Sequence, residues 1–152
     1  MLERSLKTLA LRVTRQNENA LLISQYLREC PQIETVNYPG LENHKGHELA
    51  ARQMFGFGGM LSFELKLNSK SNADTGRENC RRFLKHLKLI RPATSLGGVE
   101  TIVCVPSETS HAKVPPKERE VMGIKDQLIR LSVGIEDPND LISDIEQALK
   151  AF

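Results

Sequence analysis

The apolar positions between Leu2 and Cys30 constrain this chain more than any other feature. Leu6, Leu9, Ala10, Val13, Ala20, Leu21, Ser24 and Leu27 follow a helical period, and no Gly or Pro intervenes before Pro31. A single helix there, about 28 residues at about 1.5 Å each, outspans a small domain. Such a length fits a helix connecting two bodies. Gln16 and Asn17 interrupt the apolar stripe without breaking the helix, since neither is a strong breaker.

The rest of the chain alternates short strands with helices. Ile33 to Tyr38 reads as extended and closes at Pro39-Gly40, and residues 45–55 read as a short helix ended by Gly56. In FGFGGMLSFELKL, Leu61, Phe63, Leu65 and Leu67 alternate with Ser62, Glu64 and Lys66, predicting a strand with one buried and one polar face. Ser71 to Lys88 is predicted as a helix, with Cys80, Phe83, Leu84 and Leu87 at i, i+3, i+4 and i+7. Arg77, Arg81, Arg82, Lys85 and Lys88 cover its other side. Leu89-Ile90 and Val99 to Val105 read as strands around a Gly97-Gly98 turn, followed by a loop over 106–116. Pro116 opens a short helix stopped by Gly123, and Leu128 to Val133 is a strand. The last helix is capped by Asp137-Pro138 and turns Leu141, Ile142, Ile145, Ala148, Leu149 and Phe152 inward. Parallel βαβ units favour continuously apolar strands, whereas the clearest strand here alternates. The expected fold class is therefore α+β: a small, mostly antiparallel sheet, covered on one face by helices and preceded by a long N-terminal helix.

The 152 residues, 39% of them hydrophobic, suit one domain with one core, and residues 1–152 are expected to form it. A net charge of +2 and an aromatic content of 5% without Trp argue against a nucleic-acid partner. No apolar run approaches the roughly 20 residues that span a bilayer, so no membrane partner is expected. Met1-Leu2-Glu3-Arg4 lacks a signal peptide's apolar core, and Cys30, Cys80 and Cys104 are dispersed, so the expected location is cytoplasmic.

Strand 128–133 carries the most suggestive chemistry. Ile129, Leu131 and Val133 point to one face, Leu128, Arg130 and Ser132 to the other. With helices on the first face, Arg130 projects from the opposite side, where its fork of donors suits a carboxylate or phosphate. On period alone, an ion pair with a neighbouring Asp or Glu is the commoner use of such an arginine. The segment Thr94-Ser95-Leu96-Gly97-Gly98 offers a hydroxyl and backbone N–H groups that could hold an anion, but it also reads as an ordinary turn. His44 and His47 lack a third ligand and are separated by Gly46, so no metal site is expected. His111 lies near Ser107, Thr109 and Ser110, yet no G-x-S-x-G elbow accompanies it. The basic face over 77–88 is most simply solvated. The residues alone thus lead to an α+β domain with one notable arginine and no identified nucleophile or base.

Several strings resemble one family. SLKTLALRVTRQNENA, YPGLENHKGHELAARQMFGFGGMLSFEL, SLGGVET and GIKDQLIRLSVGIEDPNDLISDIEQAL run in the order found in the cystathionine γ-synthase/β-lyase/γ-lyase group. These are pyridoxal-phosphate enzymes of cysteine and methionine metabolism. The likeness covers roughly Leu2 to Leu149 and corresponds to the family's carboxy-terminal, substrate-binding part. The cofactor lysine of the family's larger domain, set in S-x-T-K, has no counterpart in these residues; Lys7, in SLKTL, falls after it. The long first helix would then be the connection leaving that large domain.

The resemblance implies that Arg130 binds the substrate α-carboxylate, positioning the amino acid rather than making bonds. It implies that Ser95 and the Leu96 backbone line the carboxylate end, and that Thr94 stands at a specificity position. Glu100 fits the family's GGVES, with Thr101 in place of its serine, and TSHA at 109–112 resembles the family's MTHA. The implied cofactor is pyridoxal phosphate in the full-length family, with none expected on this chain alone. Implied partners are a sulfur-containing amino acid or activated homoserine, the large pyridoxal-phosphate domain, and further copies in a homotetramer. The implied reaction makes or breaks a C–S bond, and the isolated chain is expected to be inactive. A free-standing α+β binding or regulatory module without catalysis is the rival expectation.

Overall fold

The computed structural model describes residues 2–67 and 76–150. The predicted first helix is two: α1 (Leu2–Leu6) and α2 (Leu9–Glu29). The break falls at Lys7-Thr8, where polar side chains occupy backbone groups. Thr8 leaves helical geometry at φ −111° and ψ 3°, its hydroxyl donates to the Ser5 carbonyl, and the Arg12 guanidinium donates to that same carbonyl at 3.0 Å. Hydroxyl and guanidinium donors here compete with the helix ladder. α1 buries no residue, whereas α2 buries Ala20, Ile23 and Leu27 completely. Only the second half of the predicted stripe is thus core. Leu6, Leu9 and Val13 remain exposed.

A five-stranded sheet has the order β1-β2-β5-β4-β3, from β1 (Ile33–Asn37), β2 (Met60–Leu65), β3 (Arg91–Pro92), β4 (Ile102–Cys104) and β5 (Leu128–Ser132). The β1–β2, β2–β5 and β4–β5 pairings are antiparallel, in keeping with the expectation. Phe63 lies opposite Ile129, and Leu61 and Val103 flank Leu131. These residues form one apolar face. Against it pack α2, α4 (Gly76–His86) and α6 (Pro138–Lys150), through Ile23, Leu27, Cys80, Phe83, Leu141 and Ile145. The predicted start of α4 at Ser71 and the inward placement of Phe152 lie outside the described residues.

Two predicted strands are corrected. Residues 89–90 are not a strand; β3 begins at Arg91 and pairs with β4 in parallel, not as the two arms of a turn. The reason lies in α6. The Asp144 carboxylate accepts from the backbone N–H groups of Lys88, Leu89 and Ile90, at 2.8, 3.0 and 2.9 Å, leaving those donors none for a ladder. Likewise Val99 to Thr101 stays out of β4, because the Thr101 N–H goes to the Glu136 carboxylate.

Smaller differences have local causes. The helix predicted over 45–55 is α3 (His47–Gln53). The loop after β4 contains a 3-10 turn at Pro106–Glu108, and α5 (Pro116–Val121) follows, with Gly123 at φ +74° supplying the left-handed stop. Leu67 lies past the end of β2 and is exposed, while within β2 the supposedly solvent-facing Glu64 is buried, paired with Lys125 at 2.9 Å. The Lys125 ammonium is in turn held protonated by Glu64, which raises its pKa. Tyr38, fully buried, donates its hydroxyl to the Gly58 carbonyl at 2.9 Å and anchors the approach to β2.

Candidate functional site

β5 runs between β2 and β4, with Arg130 opposite Ser62 on one side and Cys104 on the other. Strand alternation puts the completely buried Ile129 and nearly buried Leu131 under the helices, and sends Arg130 to the sheet's other face. No carboxylate meets the arginine among the described residues, so the ion-pair explanation does not hold there. Arg130 Nη2 instead donates to the Thr94 and Ser95 carbonyls, at 3.1 and 3.0 Å. Its Nε is buried and makes no hydrogen bond among the described residues. The guanidinium is therefore oriented by neutral carbonyls. No carboxylate among the described residues pairs with its charge, which leaves it fit for an anion.

The structure brings together Arg130, Thr94, Ser95 and Leu96. Thr94, Ser95 and Leu96 are exposed beside the half-buried arginine. One part of the sequence reading changes. The Gly97 N–H is not free for an anion, because it donates to the Ser132 Oγ at 2.9 Å. Gly97 itself sits at φ +74°, the left-handed conformation that glycine adopts without strain.

The loop carrying these residues is fastened on three sides. Ile135 N–H donates to the Val99 carbonyl at 2.9 Å. Glu136 accepts from the Thr101 N–H and hydroxyl, at 2.5 and 2.8 Å, while the Thr101 hydroxyl accepts from the Gly134 N–H at 2.8 Å. From α2, the Gln16 amide donates to the Gly98 carbonyl at 2.7 Å, and the Asn19 amide donates to the Gly134 and Glu136 carbonyls at 3.1 and 2.9 Å. Sequence reasoning missed Gln16, Asn19, Thr101 and Glu136 as site-shaping residues. The one available signal was the polar interruption of the α2 stripe.

The other candidates have separate structural uses. His47 Nδ1 lies 2.8 Å from the Pro39 carbonyl and its ring stacks on Phe57, while His44 Nδ1 accepts from the Gly46 N–H. No group able to hold a metal ion occurs among the described residues. Ser110 Oγ lies 2.8 Å from His111 Nδ1 in an exposed turn. Burial pushes the Cys80 thiol up to about 12, with Glu108 and Asp126 adding to the effect, and burial raises Cys30 as well. Neither thiol is disposed to act as a nucleophile. On the basic helix, Arg77 pairs with Asp126 and Arg81 with Glu108. No described helix is long and apolar enough to cross a membrane.

A Schiff-base lysine needs a neutral amine inside a pocket. Every described lysine is solvent-exposed, and Lys125 is held protonated by Glu64. The described residues therefore do not fit the covalent seat of a pyridoxal phosphate.

The family described as Cys/Met metabolism PLP-dependent enzyme matches residues 1–150. The chain is 49% identical over 148 residues to a cystathionine gamma-lyase of Bos taurus, covering 97% of this chain and 35% of that one. It is 44% identical over 150 residues to a cystathionine beta-lyase of Lactococcus lactis subsp. cremoris (strain MG1363), covering 99% and 37%. A crystal structure of a cystathionine gamma-lyase from Micromonospora echinospora superposes with a TM-score of 0.88 at 37% identity, covering 98% of this chain and 37% of that one. The chain thus spans little more than a third of the length of these relatives. It belongs to the pyridoxal-phosphate-dependent enzymes of Cys/Met metabolism.

Proposed function

We propose that this chain is the substrate-binding part of a pyridoxal-phosphate enzyme that makes or breaks C–S bonds in sulfur amino acids, its 152 residues forming one domain. The observation that carries this reading is Arg130. It stands on the central strand with its charge unpaired among the described residues, held by the carbonyls of a loop that presents Thr94, Ser95 and Leu96 to solvent. In this reading Arg130 receives the α-carboxylate of the substrate, with Ser95 and the Leu96 backbone beside it, and Thr94 contacts the variable part of the substrate. Fixing the carboxylate turns the amino acid's reacting end toward the cofactor.

Pyridoxal phosphate, bound elsewhere in the intact enzyme, supplies the electron sink of the reaction. Isolated from a cofactor lysine, the chain is inactive. Its partners in the intact enzyme are the large cofactor domain and further copies in a tetramer. Its free thiols, Cys30, Cys80 and Cys104, accord with a cytoplasmic setting.

A chimera tests the proposal. The chain is 45% identical over 150 residues to a cystathionine gamma-lyase of Bacillus subtilis, and covers 37% of it. Replacing the matching part of that enzyme with this chain is expected to give a protein that binds pyridoxal phosphate and cleaves cystathionine. The chain alone is expected to give no borohydride-fixed cofactor at a single lysine. A chimera that folds and holds cofactor but turns over no sulfur amino acid would contradict the proposal and favour a non-catalytic module.

A further inference from the structure

We propose that Gln16 is a positioning residue for the Arg130 guanidinium, acting through the Gly98 carbonyl and the loop over 94–98. The inference rests on the reading of Arg130 as a carboxylate-binding group, and adds a residue from a different element to that site.

Gln16 lies where the apolar stripe of α2 is interrupted, and an exposed glutamine there would need no explanation. It is not exposed: only 7% of its surface is accessible, and its amide is spent on the Gly98 carbonyl at 2.7 Å. Burying an amide costs free energy unless it is paired, so its place depends on that bond. Room for it is made by Gly59, where a Cβ would stand 3.0 Å from the Gln16 Cβ and 3.2 Å from the Val133 carbonyl. The helix thus approaches the end of β5 closely enough for a side chain to cross to the loop.

What the loop does in return is hold the arginine. Thr94 and Ser95 supply the two carbonyls that orient Arg130 Nη2. Between them and Gly98 the loop has one described side-chain anchor, Gly97 N–H on Ser132 Oγ. The exposed segment 94–96 is held at one end by the Ala93 N–H on the Val103 carbonyl at 3.0 Å, and the Gln16 bond fixes its other end at Gly98, beside the Gly97–Ser132 and Val99–Ile135 bonds. Asn19, one turn along the same face of α2, holds the opposite loop through the Gly134 and Glu136 carbonyls. Two buried amides of one helix therefore set the separation of the loops at the end of β5. The guanidinium takes its orientation from one of them.

The test uses this chain and the side-chain N–H of Arg130 as its readout. Gln16→Met keeps the side chain's length and removes the donor. Leu27→Val, in the fully buried half of α2, supplies a control of similar stability loss away from the loop. Losing one hydrogen bond of about 1.4 kcal/mol raises local opening by about tenfold. The Arg130 Nε–H is therefore expected to exchange with water about tenfold faster in Gln16→Met than in Leu27→Val. Equal exchange in the two variants would overturn the proposal and leave Gln16 as a stabilising bond only. Acetate titration of the unmodified chain, followed at the same resonance, reports separately on the carboxylate reading. Its failure would count against that reading, while the exchange comparison would still decide the role of Gln16.

Discussion

Arg130 and Ser95 meet through the backbone: the guanidinium Nη2 donates to the Ser95 carbonyl at 3.0 Å, and no bond joins it to the serine hydroxyl. The orientation of the arginine therefore depends on the path of the loop, not on which side chains the loop carries. Side chains at 94 and 95 are free to differ without disturbing the fork. In the proposed reading, that separation lets carboxylate binding stay fixed while selectivity is tuned beside it.

The path of the loop depends on Thr101, which is fully buried. Thr101→Val keeps the shape but strands the Gly134 N–H and one oxygen of Glu136, at an expected cost of about 1–3 kcal/mol. Thr101→Ser keeps the hydroxyl and is expected to cost less than about 1 kcal/mol. Urea unfolding of the two variants checks this, and equal losses would contradict it.

Asp144 performs a similar service on the far edge of the sheet, where its carboxylate satisfies three consecutive N–H groups ahead of β3. Asp144→Ala is expected to destabilise the fold by about 2–3 kcal/mol, because charged acceptors are worth more than neutral ones and the Ile90 donor is buried. Amide exchange at Leu89 and Ile90 should accelerate beyond the global change. Asp144→Asn, which keeps one acceptor, should lose less stability than Asp144→Ala, and equal losses would contradict this.

Asp126 carries a pH signature. Partial burial acts to raise its pKa, but hydrogen bonds and charge from Arg77 and Arg119, at 3.0 and 2.8 Å, outweigh this and hold it below 3.8. A pKa depressed on folding contributes stability that is present above 3.8 and lost as pH falls through the lower folded value. Its side chain is 42% exposed, so solvent screening limits the contribution to about 1 kcal/mol. The stability gap between the unmodified chain and Asp126→Asn is expected to be constant at neutral pH and to close on acidification. Urea midpoints measured from about pH 7 to pH 2 would show it; a gap independent of pH would remove the ion cluster from the account.

Much of this fold was legible because burial imposes a period. The alternation in β2 and β5 and the i, i+3, i+4 spacing in α4 and α6 survive in the structure. What periodicity could not reveal are bonds between distant side chains and backbone. Asp144 reaches N–H groups 54 to 56 residues away, and so abolishes a strand that Leu89-Ile90 would otherwise form. Glu64 looks solvated in its strand pattern, yet Lys125 covers it from 61 residues away. The site shows the same division. Arg130 could be found from its alternation, whereas Gln16 and Asn19 read as defects in an apolar stripe until the loops they hold are in view.

The central claim is that Arg130 is kept for a substrate carboxylate and not for the fold, and steady-state kinetics of Arg130→Ala in the cystathionine gamma-lyase chimera test it most directly. In this chain, Arg130→Ala is expected to change stability by less than about 1 kcal/mol, since its partners are carbonyls that water can reach. In the chimera, the same change is expected to cost about 2 kcal/mol or more of substrate binding, about thirtyfold or more in KM. Arg130→Lys should recover only part of that loss, because an ammonium cannot reproduce the planar fork. An unchanged KM for Arg130→Ala, alongside a badly destabilised fold, would contradict the account and make the arginine a structural residue.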